Sequence, residues 1–134
     1  MNAEKLAEAV RLAKKAGHVL VATADARGMP HVTAAGRLEP AGNSAVAVTE
    51  WFCPGTVSNL QKNKAVSVVV WTKPLERGLQ LLGYLEAVQD LGVLDGFAPA
   101  VEKDHPMPQI EKRVVIKVEK VLEFCLGPHS DVED

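Results

Sequence analysis

The sequence predicts a mainly β fold, a six-stranded antiparallel barrel with short flanking helices, formed as a single domain over residues 1–134. Period-2 apolar segments follow one another along most of the chain, separated by short turn sequences. No internal repeat and no linker divides the 134 residues. Tight turns between consecutive strands favour an antiparallel meander, and closure of that sheet would remove its exposed edges.

The first segment, residues 2–16, is predicted to be an amphipathic helix. Asn2 is a suitable N-cap, Leu6 and Val10 fall on one face, and Gly17 can adopt the left-handed conformation that ends a helix. A short helix, "VSNLQKN", is predicted after Thr56 as its N-cap, and a third helix is predicted over residues 91–103.

The strands are predicted from alternating apolar and β-branched residues between turn sequences. They span residues 18–25, 29–40, 44–51, 65–73, 79–90 and 113–125, and the turns at 26–28 and 41–43 contain Gly28 and Gly42. Gly83 lies inside the fifth strand, which indicates a bulge or a close approach of backbones. The acidic tail, 127–134, is predicted to fray.

Composition excludes several classes of function. The net charge of −2 and the lack of a basic block argue against a nucleic-acid partner. No apolar run reaches the roughly 18 residues of a membrane helix, and the N-terminus lacks signal-peptide order, so a cytoplasmic protein is expected. Cys53, Cys125 and the four histidines form no metal-ligand motif, and no acid–base pair can be named as catalytic.

The stretch "WFCPGTVSNLQKNKAVSVVVW", residues 51–71, leaves two interpretations open. The free N–H groups after Pro54-Gly55, together with the Thr56 hydroxyl, could hold an anion. The more common alternative is an ordinary capped connector between two strands. Cys53 is similarly either a thiol activated by the helix or a small apolar filler.

Three other side chains also have two interpretations. His31, on the second predicted strand, either faces a ligand or occupies a solvated or hydrogen-bonded strand position. Trp51 and Trp71 flank the short helix and either bury themselves at an interface or lie beside a planar ligand.

The order of these segments resembles the flavin mononucleotide (FMN)-binding split-barrel proteins related to pyridoxamine 5′-phosphate oxidase, over roughly residues 5–125. "LVATADARGMPHVTAAG" contains the hairpin pattern T-x-D-x-x-G-x-P-x-V, "TVSNLQKN" the helix pattern T-x-x-N-L-x-x-N, and "GLQLLGYLEAV" the strand pattern L-x-L-x-G. Each pattern alone is degenerate, so the resemblance depends on their order and spacing.

The resemblance implies an FMN cofactor whose phosphate lies between the second strand and the start of the short helix. The matching positions are Thr33, Ala34, Ala35, Gly36 and Arg37 on the strand and Pro54, Gly55 and Thr56 at the helix. Arg77 and Gln80 match positions that line the flavin. The resemblance further implies a homodimer with the flavin at the subunit interface, acting with a small-molecule electron donor and acceptor.

Two departures from the family pattern limit what the resemblance implies. Many relatives carry a basic residue immediately before the equivalent of Thr56, where this chain has Gly55. The arginine-containing substrate motif of the oxidases has no counterpart in "EFCLGPHSDVED", so oxidation of vitamin B6 is not expected.

The expected function is therefore that of a flavin-dependent oxidoreductase acting on a small acceptor. Three alternatives stay open: a non-catalytic flavin carrier or electron-transfer module, the same fold binding a deazaflavin or haem, and an interaction protein without a cofactor.

Overall fold

The computed structural model describes residues 1–51, 53–93 and 110–132, which form two helices and one antiparallel sheet of seven strands. The helices are α1 (Ala3–Ala16) and α2 (Pro54–Lys62). The strands are β1 (Val19–Ala24), β2 (Pro30–Ala35), β3 (Arg37–Pro40), β4 (Ala45–Thr49), β5 (Ala65–Thr72), β6 (Arg77–Val93) and β7 (Ile110–Cys125). Their order across the sheet is β2-β1-β5-β6-β7-β4-β3. The mainly β, antiparallel prediction is confirmed.

The seventh strand arises because the predicted strand 29–40 is divided at Gly36, so the predicted count of six is too low. β2 pairs with β1, whereas β3 pairs with β4. At the division the Gly36 N–H donates to the carbonyl of Glu50 over 3.1 Å. A Cβ at position 36 would lie only 2.9 Å from the Cβ of Glu50, so glycine is required for this close approach.

The sheet is not closed by a ladder between its edges. In the described part of the chain, β2 and β3 each pair on one side only and form the two edges of the sheet. They are nevertheless consecutive in the chain and joined at Gly36. The sheet must therefore curl until its edges meet at this residue, which gives an open barrel rather than the closed one expected from the sequence.

Alternation along the strands sorts side chains into an inner and an outer face. The inner face packs against both helices in one core, which includes Leu12 of α1, Leu60 of α2 and Val21, Val68 and Leu81 of the sheet. The outer face of β2, β1, β5, β6 and β7 carries the alternate residues. Paired positions across it include Ala34, Leu20, Val69, Gln80 and Leu122.

The helix predictions are partly confirmed. The Asn2 side chain caps α1 by accepting from the N–H groups of Glu4 and Lys5, and Gly17 ends the helix with φ +81°. The third predicted helix, 91–103, is wrong at its start because residues 91–93 continue β6, where Val93 pairs with Ile110. Residues 94–103 lie outside the described residues.

The tail after β7 makes hydrogen bonds back to the strand. The Cys125 N–H donates to the Ser130 hydroxyl over 2.9 Å, and the Asp131 N–H donates to the carbonyl of Glu123 over 3.1 Å. Fraying of this tail stays a prediction.

Gly83 marks the predicted irregularity in β6. The pairing register between β6 and β7 shifts between Leu82 and Gly83, and a Cβ at Gly83 would overlap the carbonyl oxygen of Lys117. The prediction of a bulge with close backbone approach is confirmed.

We expect Gly83→Ala to lower the free energy of unfolding by at least about 2 kcal/mol, because the added methyl group forces two paired backbones apart. Gly127→Ala is the control, since its Cβ would meet only the Cys125 Sγ at 3.7 Å. It should change stability by no more than about 0.5 kcal/mol. Urea denaturation measures both variants, and similar values for the two would contradict this account.

Asp25 organises the turn between β1 and β2. Its Oδ1 accepts from the N–H of Arg27 over 2.8 Å and from the N–H of Met29 over 2.9 Å. These hydrogen bonds, the one from Met29 first, lower the pKa of Asp25 below its usual value of 3.8. The charged carboxylate therefore stabilises the fold above that pH, and its contribution is lost as the pH falls through the lowered pKa.

We expect Asp25→Ala to lower the melting temperature at pH 7 and to differ less from the wild type at pH 3. Asp25→Asn keeps an oxygen acceptor without the charge, so it should melt between the two proteins at pH 7. Thermal denaturation followed by circular dichroism at both pH values measures the effect. An unchanged difference between wild type and Asp25→Ala at the two pH values would show that the charge contributes nothing.

Candidate functional site

The start of α2 differs from its predicted form. The helix begins at Pro54 with Cys53 as N-cap, and no side chain accepts a hydrogen bond there. Proline suits the first helical position because its φ is already helical. The prediction that Thr56 caps this helix is wrong, since Thr56 is its third residue. The N–H groups of Gly55 and Thr56 consequently have no acceptor within the helix.

This helix start packs against β2, and the two form what we term the helix–strand junction, residues 31–34 and 53–56. The Thr33 hydroxyl lies 3.0 Å from the Cys53 Sγ, which also points towards the carbonyl of Ala34 at 3.9 Å. Further along α2, the Asn59 amide donates to the Thr23 hydroxyl over 3.2 Å. The structure thus brings Thr33 and the backbone of Ala34 next to Pro54, Gly55 and Thr56, whereas the Ala34 side chain lies on the outer face.

His31 covers the threonine at the junction. Thr56 has no exposed surface, and its Oγ1 lies 3.5 Å from the His31 Nδ1. The His31 ring is itself exposed, and its Nε2 lies 3.8 Å from the position of a Cβ on Gly55. A ligand approaching the start of α2 therefore meets the Gly55 backbone and the His31 imidazole before it meets the Thr56 hydroxyl.

Three predicted site residues near the end of β2 have other partners. Ala35 is 3% exposed and packs into the inner core. Gly36 gives its N–H to the Glu50 carbonyl. Arg37 belongs to β3, and its Nε lies 3.5 Å from a carboxylate oxygen of Glu39. The structure does not bring these three residues to the junction as ligand-facing groups.

Arg77 and Gln80 lie on opposite faces of β6. Gln80 lies on the outer face, in the same row of paired residues as Ala34. Arg77 lies on the inner face, where it pairs with Glu8 of α1 at 2.8 Å and with Glu123 of β7 at 2.6 Å. Burial alone would lower the pKa of Arg77, but the hydrogen bond that it donates to Glu8 and the charges of both carboxylates raise it overall. Arg77 therefore joins α1 to the sheet.

The outer face carries a groove of about 430 Å³, lined by residues of β1, β5, β6 and β7. Its lining includes Ala22, Ser67, Leu82, Tyr84 and Lys120. The Ser67 Oγ is buried and has no hydrogen-bond partner.

The structure also shows the surroundings of Cys53, Trp51 and Trp71. Cys53 is half-buried and packs against the core, which favours the filler interpretation. Trp51 is 4% exposed within its own chain and donates from Nε1 to the carbonyl of Lys112 over 2.9 Å. Trp71 stacks on Phe124 at the outer face, with ring centroids 5.3 Å apart.

His31 is the junction residue that the sequence prediction did not select. A signal for it exists in the alternation of β2, because His31 and Thr33 share a face and Thr33 matches a predicted ligand position. What the sequence could not show is that the His31 ring lies over the start of α2.

Fold and site together define a small open β-barrel protein with an uncapped helix start held against an edge strand. Residues 6–125 match the family model described as pyridoxamine 5′-phosphate oxidase. The chain therefore belongs to the pyridoxamine 5′-phosphate oxidase family, and its fold is the split barrel of that family. No curated protein matches it.

Solved structures share this fold over nearly the whole chain. HupZ of Group A Streptococcus is 20% identical, with 95% of this chain and 97% of that one covered and a TM-score of 0.67. An FMN-binding protein from Syntrophomonas wolfei is 19% identical, with coverages of 92% and 88% and a TM-score of 0.67. A Lactobacillus delbrueckii protein, provisionally named a pyridoxamine 5′-phosphate oxidase, is 25% identical, with coverages of 85% and 89% and a TM-score of 0.60.

Neighbours with other names also share the fold. An F420 reductase is 19% identical, with coverages of 78% and 87% and a TM-score of 0.52. HutZ, the heme storage protein from Vibrio cholerae, is 13% identical, with coverages of 90% and 94% and a TM-score of 0.53. Structures that share this fold are thus named for flavin, F420 and haem.

The donor set at the junction fits a flavin phosphate. Two backbone N–H groups without helical acceptors, an imidazole and a glycine that leaves room above the backbone suit an anion at the positive end of a helix.

In the part of the chain that the structure describes, neither helix is long and apolar enough to cross a membrane.

We expect Arg77→Leu to lower the free energy of unfolding by about 1 kcal/mol, because Glu8 and Glu123 lose their common partner at a half-exposed site. Arg11→Leu, an exposed arginine on α1, is the control and should stay within about 0.5 kcal/mol of wild type. Urea denaturation compares the two. Equal effects would show that the Arg77 ion pairs do not contribute to stability.

Proposed function

We propose that this protein binds FMN with the phosphate at the helix–strand junction and acts as a flavin-dependent oxidoreductase on a small acceptor. The observation that supports this most directly is the uncapped start of α2, packed against β2 where family resemblance expects the phosphate. The FMN-binding neighbour from Syntrophomonas wolfei, which shares the fold, adds support. A cytoplasmic location remains part of the proposal.

In this proposal the protein's residues bind and orient the cofactor. The N–H groups of Gly55 and Thr56 would donate to the phosphate, with the exposed His31 ring beside them. The outer-face groove, lined by Ser67 and Leu82, would take the more apolar part of the ligand and exclude water. Bound flavin would supply hydride or electron transfer, and no side chain is assigned as a general acid or base.

The proposal includes a homodimer formed through the outer face. Both helices pack on the inner face, whereas Leu20, Val32 and Tyr84 on the outer face are 37%, 60% and 49% exposed. Trp71 and Phe124 extend this apolar surface along the same face. A second copy covering it would bury these side chains together with any flavin in the groove.

The haem and deazaflavin alternatives are supported by the neighbours named for haem and F420. A haem would need an axial ligand, for which the exposed His31 is the candidate at the junction. A non-catalytic flavin carrier would bind FMN equally but would not turn over with a nicotinamide and a small oxidant. The visible spectrum of the ligand-bound protein distinguishes haem and deazaflavin from FMN.

We expect the purified protein to retain FMN after desalting, and we expect Gly55→Asp to weaken FMN binding at least tenfold. The added carboxylate would repel the phosphate, although acidic residues in the first turn stabilise a helix, so loss of binding would not reflect unfolding. Gln61→Asp, at the other end of α2, is the control and should bind FMN like the wild type. Flavin fluorescence titration gives both affinities.

The proposal fails if the wild type does not bind FMN at tens of micromolar. If Gly55→Asp binds as tightly as wild type, the phosphate lies elsewhere.

For the dimer, we expect Val69→Lys to give a monomer by size-exclusion chromatography with light scattering. Val69 lies in the middle of the outer face, so a charge there would be buried by a second copy. Val132→Lys, on the exposed tail, should leave the mass unchanged. A wild type that runs as a monomer with FMN present would exclude this part of the proposal.

A further inference from the structure

We propose that His31 provides the positive charge for the phosphate at the helix–strand junction, so that recognition of the phosphate strengthens as His31 gains a proton. This inference rests on the proposed function, because it concerns the same phosphate. It assigns to a β2 side chain the role that Gly55 cannot fill, since glycine has no side chain.

The position of the ring supports this role. His31 Nδ1 lies 3.5 Å from the hydroxyl of the fully buried Thr56, and Nε2 lies 3.8 Å from the position of a Cβ on Gly55. In the protonated ring both nitrogens donate hydrogen bonds. Nδ1 can then donate to the Thr56 hydroxyl, which holds the ring in place, while Nε2 stays beside Gly55. A phosphate held by the free N–H groups of Gly55 and Thr56 would therefore lie next to this nitrogen.

The charged groups on the surrounding elements do not place another cation beside the phosphate position. The first turn of α2 contains no acidic residue, and its basic residue, Lys62, lies in the last turn. Lys62 interacts with Asp25 beyond the end of β1, and the Asp25 carboxylate is held by its own turn. From α2, Cys53 contacts Thr33, and from β1, the neutral Thr23 is paired with His31. Among these neighbouring groups, His31 is therefore the side chain that can bring a positive charge to the junction.

The consequence is a dependence of FMN affinity on pH. Histidine ordinarily changes its charge between pH 5 and pH 8, whereas arginine and lysine keep theirs. A phosphate monoester also gains a proton near pH 6, which weakens its binding in every variant alike. The diagnostic quantity is therefore the ratio of the FMN dissociation constants of His31→Gln and wild type, in which the phosphate titration cancels.

The experiment titrates FMN and riboflavin into wild type and His31→Gln at pH 6 and pH 8, by flavin fluorescence. We expect His31→Gln to bind FMN about tenfold more weakly than wild type at pH 6 and within about twofold of it at pH 8, the size expected for one charge-assisted hydrogen bond. Riboflavin lacks the phosphate, so its affinity should be the same in both proteins. His129→Gln, on the tail, is the control for removal of a histidine and should behave as wild type.

A second variant distinguishes loss of the charge from loss of the fold in His31→Gln, because an unfolded protein could not regain FMN binding. Gly55→Lys places a permanent cation where the backbone has room, with His31 Nε2 as its nearest neighbour at 3.8 Å. In the His31→Gln background it should restore FMN binding equally at pH 6 and pH 8.

The possible outcomes separate the two proposals. A wild type that binds no FMN at either pH overturns the proposed function. A wild type that binds FMN, with a ratio to His31→Gln that is the same at both pH values, leaves FMN binding intact and overturns the role of His31. An equal loss of riboflavin affinity in His31→Gln also overturns it, because the effect would then not involve the phosphate.

Discussion

The contact between Gly36 and Glu50 determines how the rest of the sheet is arranged. The Gly36 N–H donates to the Glu50 carbonyl, and Glu50 is held in a left-handed conformation, φ +61°, while its own N–H donates to Glu111 over 2.7 Å. The chain thereby passes from one edge strand, β2, directly to the other, β3. The start of α2 packs against this edge strand through Thr33 and His31, which face the inner side of the sheet.

Local patterns were sufficient to predict most elements but not their partners. Asn2, Gly17, Asp25 and Gly28 act within a few residues, so the sequence predicts α1 and the first hairpin correctly. The division at Gly36 depends on Glu50, fourteen positions further on, and the pairing of Arg77 with Glu8 spans 69 positions. Periodicity cannot report such contacts. The misplaced cap is different, because proline's preference for the first helical position could have placed the start of α2 at Pro54.

Strand alternation also separates residues that the family pattern treats as one site. Thr33 and His31 face the inner side with α2, whereas Ala34 and Gln80 face outwards. Ala34 and Gln80 are three strands apart, a separation of about 14 Å at about 4.8 Å per strand. Under the proposed function, one flavin would have to run from the edge of β2 onto the outer face to reach both regions. The predicted residues would then lie at the two ends of an elongated ligand.

The uncapped start of α2 is informative because capping would have been simple. A serine, threonine or aspartate at the N-cap stabilises a helix by about 1 kcal/mol, and Cys53 makes no such hydrogen bond. The N–H groups that a cap would satisfy therefore have no acceptor within the helix, and the Thr56 hydroxyl is buried behind His31. Under the proposed function, an anion completes this helix in place of a cap. Since the same ligand would extend under the face that a second copy covers, ligand binding and dimer formation would stabilise each other by mass action.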